Sequence, residues 1–269
     1  VESEYPKISI VTPSFNSVET IEQTILSVLG QGYNNIEYLV IDGDSNDGTI
    51  ELLKKYKNDI DYCVSEKDNG IYHAMNKGIA AASGDFIGII NADDCYEEGA
   101  IFKVANLIKS SSSIEAVYAN SKYLIPNRPP IIIQGRNPLK RDDFFNMPMA
   151  HTTVFIKKKC FDLYGGFDES FKASGDFDLL FRFFDSGVQF TYLDTVLTEI
   201  KFGGLTSTSF ISNQENKLVI KKRGASLNMR LKSNLFAIKR YLAVQSQHNL
   251  FLKPFFKIYH FFKDSMASA

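Results

Sequence analysis

The chain has 269 residues, 44% of them hydrophobic and 23% charged, which is enough apolar material for a sizeable core and excludes a disordered or collagen-like polymer. The net charge of -1 hides a strong asymmetry: residues 1–216 hold 19 Lys and Arg against 30 Asp and Glu, whereas residues 217–269 hold 11 Lys and Arg against Asp264 alone. Three widely spaced cysteines, Cys63, Cys95 and Cys160, form no C-x-x-C pair, which argues against zinc and a disulfide framework and fits a reducing cytoplasm. The first residues carry no secretory-leader pattern, and no apolar run reaches the ~20 residues of a membrane-spanning helix.

Ile8 to Thr12 reads as a short buried strand stopped by Pro13. Ile21, Ile25, Val28 and Leu29 then share one helical face. Ile36 to Ile41 is a second strand. It runs into the polar loop D-G-D-S-N-D-G-T and a helix over about 50–56. Tyr62 to Ser65 reads as a third strand, Gly70 to Ala82 as a helix and Phe86 to Ile90 as a fourth strand ending in N-A-D-D. A helix with Ile101, Val104, Leu107 and Ile108 inward follows. Such alternation predicts an α/β fold, a mostly parallel sheet flanked by helices.

Beyond residue 110 the pattern loosens. Val117 to Leu124 and Pro130 to Ile133 read as a hairpin, and Thr152 to Ile156 and Phe190 to Leu193 as strands. G-D-F-D-L-L-F-R-F-F opens a buried helix. From Lys217 the chain reads as a helical extension, with Leu231, Leu235, Ile238 and Leu242 on one face. The segment F-L-K-P-F-F-K-I-Y-H-F-F-K then interleaves aromatics with lysines. These patterns divide the chain into an α/β domain at 1–216 and a basic, aromatic helical tail at 217–269.

Polar residues fall where the first strands end: Thr12-Pro13, then Asp42 with Asp44, then Asn91 with Asp93 and Asp94. If the strands are parallel, all three clusters open onto the rim where ligands of such sheets bind. Carboxylates gathered there repel one another unless a cation joins them, and Mg2+ or Mn2+ prefers oxygen ligands. Each Asp taken singly fits a helix cap or an Asx turn equally well. The loop from Asp42 lacks the Gly and Glu of an EF-hand, and neither a P-loop nor a G-x-G-x-x-G fingerprint occurs.

I-S-I-V-T-P-S-F-N, V-I-D-G-D-S-N-D-G-T, D-N-G-I-Y-H-A-M-N-K-G-I, A-S-G-D-F-I-G-I-I-N-A-D-D and G-G-F-D-E together resemble glycosyltransferase family two, of GT-A fold, over about residues 7–205. The resemblance implies inverting transfer from a nucleotide-sugar, most commonly a UDP-sugar, to an acceptor hydroxyl on a glycan or polyprenyl-linked molecule. By position it makes Thr12, Pro13, Asp42, Asp44 and Lys67 nucleotide-sugar contacts, with Glu66 and Asp68 beside Lys67. Asn91-Ala92-Asp93 matches the D-x-D motif with Asn91 in place of the first Asp, and Asp93 becomes the metal ligand for Mn2+ or Mg2+. Asp176 matches the catalytic base, with Gly175 where Glu often stands. His151 and Asp178 fall near the acceptor or diphosphate.

The basic tail predicts contact with an anionic membrane surface, peripheral at the inner face of the plasma membrane. Packing onto the acidic body, or a contact between copies in a homo-oligomer, would use the same residues. Nucleic acid is disfavoured because the body is acidic. A nucleotidyltransferase, which would want a Gly-rich basic loop after the first strand, and a non-catalytic nucleotide-sugar binding module are the alternative readings.

Overall fold

The computed structural model describes residues 5–126, 128–201 and 210–248, the last with side chains to residue 239. Leu242, the aromatic-lysine segment and Asp264 therefore lie outside the described residues.

Strands β1 (Ile8–Ser14), β2 (Ile36–Asp42), β3 (Tyr62–Ser65) and β4 (Phe86–Ile89) alternate with helices α1 (Ile21–Leu29), α2 (Thr49–Lys55) and α3 (Ile71–Ala81). Then come β5 (Cys95–Tyr96), α4 (Ala100–Ser110), β6 (Ala116–Leu124), β7 (Ile131–Ile133), β8 (Phe155–Lys157), α5 (Lys158–Tyr164), α6 (Gly175–Asp185) and β9 (Phe190–Lys201). Two further helices, α7 (Phe210–Lys222) and α8 (Leu227–His248), close the described chain.

One sheet holds all nine strands found among the described residues, in the order β3-β2-β1-β4-β8-β6-β9-β5, with β7 beside β6. β3, β2, β1 and β4 are mutually parallel; β8 runs antiparallel to both β4 and β6, and β9 returns parallel to β6.

Period-two alternation splits each central strand between two cores. Ile8 and Ile10 of β1, with Tyr38 and Val40 of β2, pack with α1 and α4 residues such as Ile25, Ile101 and Val104. Val11, Leu39 and Ile41 face the other way, onto Ala74, Met75 and Ile79 of α3 and the phenylalanines of α6. α3 lies unusually close to β1: a Cβ added at Gly78 would come within 2.2 Å of Val11 Cγ1, so only glycine fits.

Several elements depart from the sequence expectation. His151–Thr153 forms a 3-10 turn rather than the start of a strand. Thr153 N donates to Ala150 O (3.0 Å) and Thr153 Oγ1 to Ala119 O (3.1 Å), so turn closure replaces ladder bonds until Phe155. β9 is three times as long as the Phe190–Leu193 stretch, and β5, α5 and the 3-10 turn Arg141–Phe145 are elements the periodicity did not mark. The 216/217 boundary falls inside α7, and Val219, Ile220, Ala225 and Met229 beyond it belong to the α6-side core.

Candidate active site

The four parallel strands end along one edge of the sheet. Ser14 of β1 stands in register with Asp42 of β2, and Asp42 with Ser65 of β3. Ile90, just past β4, donates its N–H to Val11 O (3.0 Å), so the N-A-D-D segment leaves the same edge. All three polar clusters singled out in the sequence thus open onto one rim.

The first two loops are knitted together. Asn16 N donates to Ser45 Oγ (2.7 Å), Asn46 N to Asn16 Oδ1 (3.0 Å), and Ser17 N to Thr49 Oγ1 (2.9 Å). Asn16 and Asp44 adopt left-handed backbone, φ 47° and 67°, a region Asn and Asp tolerate better than most residues. Asp44 and Lys67 are exposed on this rim, and Pro13 is buried beneath it. Thr12 is buried, its hydroxyl 3.2 Å from the Tyr38 hydroxyl.

Asp42 is fully buried, and four donors saturate its carboxylate. Ser14 Oγ (3.1 Å) and Ser45 Oγ (2.6 Å) reach Oδ1; Ser45 N (2.9 Å) and Ser65 Oγ (2.7 Å) reach Oδ2. In this arrangement Asp42 ties the ends of β1, β2 and β3 together.

A second cluster gathers beyond β4. Asp176 is the second residue of α6. Its Oδ2 lies 3.2 Å from His151 Nδ1, and its Oδ1 accepts from Tyr72 Oη (3.3 Å) and from the Phe177 N–H (2.9 Å). Burial disfavours a charged imidazole at His151, but the Asp176 hydrogen bond and the charges of Asp176, Asp94 and Asp93 outweigh it and raise its pKa. His151 and Asp176 come from a 3-10 turn and a helix start, so the tertiary fold alone brings them together.

In N-A-D-D, Ala92 is buried and Asn91 and Asp93 are half-buried. Asp94 is 3% exposed, and burial together with the neighbouring Asp93 charge pushes its carboxyl up to about 7. Asn91 Nδ2 donates to Asp94 Oδ2 (3.1 Å), which gives Asn91 a holding role in place of the acid usual at that position. Asn91 Oδ1 and His151 Nε2 are buried with no hydrogen-bond partner among the described residues.

No three His, Cys, Asp or Glu side chains converge closely enough to hold an ion unaided, among the described residues. Mg2+ and Mn2+ sites of nucleotide enzymes commonly take one or two carboxylates and fill the remaining positions with phosphate oxygens and water. The adjacent carboxylates of Asp93 and Asp94, with the unpaired Asn91 Oδ1, fit that donor set.

Asp178 lies elsewhere, in contrast to the expectation that it neighbours the acceptor. Two residues on from Asp176 it points off another helix face, is 1% exposed, and accepts from Arg223 Nε (3.1 Å) and Nη2 (2.6 Å). Arg182 Nε stands 3.8 Å from its other oxygen. Sequence reasoning missed Tyr72, whose ring also explains Gly175: a Cβ there would sit 2.8 Å from the ring carbons. Tyr72 stands within the D-N-G-I-Y-H-A-M-N-K-G motif, but nothing local says that it reaches a residue 104 positions away.

An uncharacterized glycosyltransferase of Rickettsia prowazekii is 27% identical over 220 residues, covering 78% of this chain and 69% of its own. A PGL/p-HBAD biosynthesis glycosyltransferase of Mycobacterium bovis is 24% identical over 215 residues, 76% of this chain and 80% of its own. Among solved structures, S. aureus TarS 1-349 in complex with UDP-GlcNAc superposes with a TM-score of 0.66 at 18% identity, over 81% of this chain and 65% of that one. The mannosyltransferase of Pyrobaculum calidifontis in complex with GDP-Man and Mn2+ gives 0.60 at 16% identity, over 95% and 84%. These neighbours share the GT-A fold. The family model for glycosyl transferase family 2 matches residues 9–161, more than half of the sequence, and this chain belongs to that family.

Proposed function

We propose that this glycosyltransferase is an inverting, divalent-cation-dependent enzyme that moves a sugar from a nucleotide diphosphate, a UDP-sugar by preference, to an acceptor hydroxyl on a glycan or polyprenyl-linked molecule. The observation that carries the reading is the convergence of Asp176, His151, Asp93 and Asp94 beside the rim from which the first four strands end. The nucleotide-sugars bound by TarS and by the mannosyltransferase, and the Mn2+ bound by the latter, support the donor class and the ion.

Asp176 takes the proton from the acceptor hydroxyl as that oxygen attacks the anomeric carbon. Its carboxylate is held by three donors, so it meets the acceptor with little freedom to lose. The new C–O bond forms on the face opposite the departing diphosphate, which inverts the anomeric configuration. His151 holds Oδ2 of Asp176 through Nδ1 and leaves Nε2 free to donate to a diphosphate oxygen when the ring is charged. Asp93, with Asp94 beside it, would hold a Mn2+ or Mg2+ ion, which when bound offsets the charge on the leaving diphosphate. Asp44 and Lys67 stand exposed on the nucleotide side of the rim, with Thr12 and Pro13 buried beneath them. Asp42 serves that side through the loops it fastens.

Two measurements test this. Asp176→Asn keeps the hydrogen-bonding shape but cannot take a proton; transfer should fall by about 10²–10⁴-fold while donor affinity stays within about twofold. Near-normal turnover would remove Asp176 from the chemistry. Excess EDTA should abolish transfer and added Mn2+ or Mg2+ restore it; full activity in chelator would remove the cation. A nucleotidyltransferase would instead release inorganic diphosphate from a nucleoside triphosphate and a sugar phosphate, so an assay supplied with those two substrates separates the readings.

A further inference from the structure

The two C-terminal helices carry a surface that the transfer reaction does not use. On α8, Leu227, Leu231 and Leu235 recur every fourth residue and Ile238 follows three later, so the four form one stripe. All point outward, at 73%, 60%, 53% and 56% exposure. The opposite face of α8 is the packed one: Met229 and Ser233 are buried, and Phe236 meets Phe145 edge-on at 6.1 Å. The expected apolar face of this helix is therefore real but faces away from the protein.

Alongside the stripe, α7 and α8 leave a groove lined by Lys217, Lys221, Arg230, Ser233 and Asn234 over Ile220. Lys217 and Lys221 stand one turn apart on α7, Arg230 faces them from α8, and no carboxylate lines the groove among the described residues. Other tail cations engage the acidic body: Lys222 with Asp168 (2.7 Å), Arg223 with Asp178 (2.6 Å) and Lys232 with Asp142 (3.9 Å). Packing onto the body accounts for these three and leaves the groove's cations directed elsewhere.

We propose that this face of the α7–α8 hairpin docks on an anionic phospholipid bilayer, with lipid phosphates in the Lys217–Lys221–Arg230 groove and the leucine stripe lying in the interface. Apolar residues flanked by cations on one helix face are what an interfacial helix needs. No described helix is long and apolar enough to cross a membrane, so the hairpin lies on the surface. Charge supplies both attraction and orientation. Residues 217–269 are strongly basic and residues 1–216 strongly acidic, so an anionic surface draws this face in and repels the rest. A second copy is a poorer occupant, because a two-fold contact through the stripe would bring the two sets of flanking cations together.

Docking also fixes the catalytic helix relative to the lipid. Glu215 of α7 accepts from Lys172 N (2.9 Å) and Ala173 N (2.8 Å), just before Asp176.

The test is sedimentation of the full chain with vesicles of phosphatidylcholine alone and of an equimolar phosphatidylcholine–phosphatidylglycerol mixture. The chain should sediment with the anionic vesicles, and at least about tenfold more weakly with the neutral ones. Leu231→Glu with Leu235→Glu, and separately Lys217→Glu with Lys221→Glu and Arg230→Glu, should each weaken anionic binding about tenfold or more. Both variants alter exposed positions, so melting temperature and donor hydrolysis should match the parent. Equal binding to both vesicles would overturn the proposal, as would variants that bind like the parent. So would a lipid-free dimer that Leu231→Glu with Leu235→Glu splits into monomers.

Discussion

Gly175 occupies a position where a longer side chain cannot go. The Tyr72 ring fills the space a Cβ would need, stacks on Phe167 at 5.4 Å and sends its hydroxyl to Asp176. Gly175→Ala should therefore displace the ring, lose that hydrogen bond and cost about 1–3 kcal/mol as an overpacked site. A thermal melt reads the stability and initial rates read kcat, which should fall as well. Tyr72→Phe, which removes only the hydroxyl, should leave the melt nearly unchanged. An alanine variant as stable and as active as the parent would mean that the ring has room to spare. Asp176 was legible because its motif is local in sequence. Tyr72 was not, because its importance lies in a contact between α3 and the start of α6.

At the scale of elements, Glu37 shows how the parallel strands are pinned at the edge away from the site. On β2, it accepts from Lys7 Nζ (2.9 Å), Ser9 Oγ (2.5 Å) and Ser83 N (2.7 Å), and from the Ser83 hydroxyl. Burial alone would raise its pKa, but the bonds from Ser83, Ser9 and Lys7 prevail and hold it down at about 2 against 4.5. A depressed carboxyl stabilises the folded state above its unfolded value, and that contribution fades as pH falls from 4.5 toward 2. Glu37→Gln should lower stability near neutral pH by about 2 kcal/mol and flatten its decline through that acid window. Urea titrations at both ends of the window check this; a constant gap between variant and parent would refute it.

β1, β2 and β4 were readable because both faces of these strands are buried and each is a nearly continuous apolar run. β9 was readable only at Phe190–Leu193. Asp194 and Glu199 interrupt its apolar pattern, and backbone pairing with β6 and β5 carries it to Lys201.

Across the whole molecule, charge and packing join what composition divided. The basic stretch reads as an appendage, yet α7 and the first turn of α8 complete the α6-side core. Arg223 is the hydrogen-bonded partner of the buried Asp178 carboxylate, and without it only the more distant Arg182 would remain; breaking such a pair typically costs about 3–5 kcal/mol. A chain ended at residue 209 should thus lose soluble yield and its cooperative thermal transition. A truncated protein melting within a few degrees of the full chain would establish 1–209 as an autonomous domain.

The alternation of strands and helices, the polar strand ends and the family are all legible in the residue order, because periodicity and short motifs are local properties. The partners of each carboxylate became visible with the folded chain. Asp42 is saturated by Ser14, Ser45 and Ser65, and Asp178 is neutralised by Arg223, whereas Asp176 is held against His151 and Tyr72 with the charge of Asp93 nearby. A carboxylate's chemistry depends on how many donors reach it, and most of those donors come from residues far along the chain.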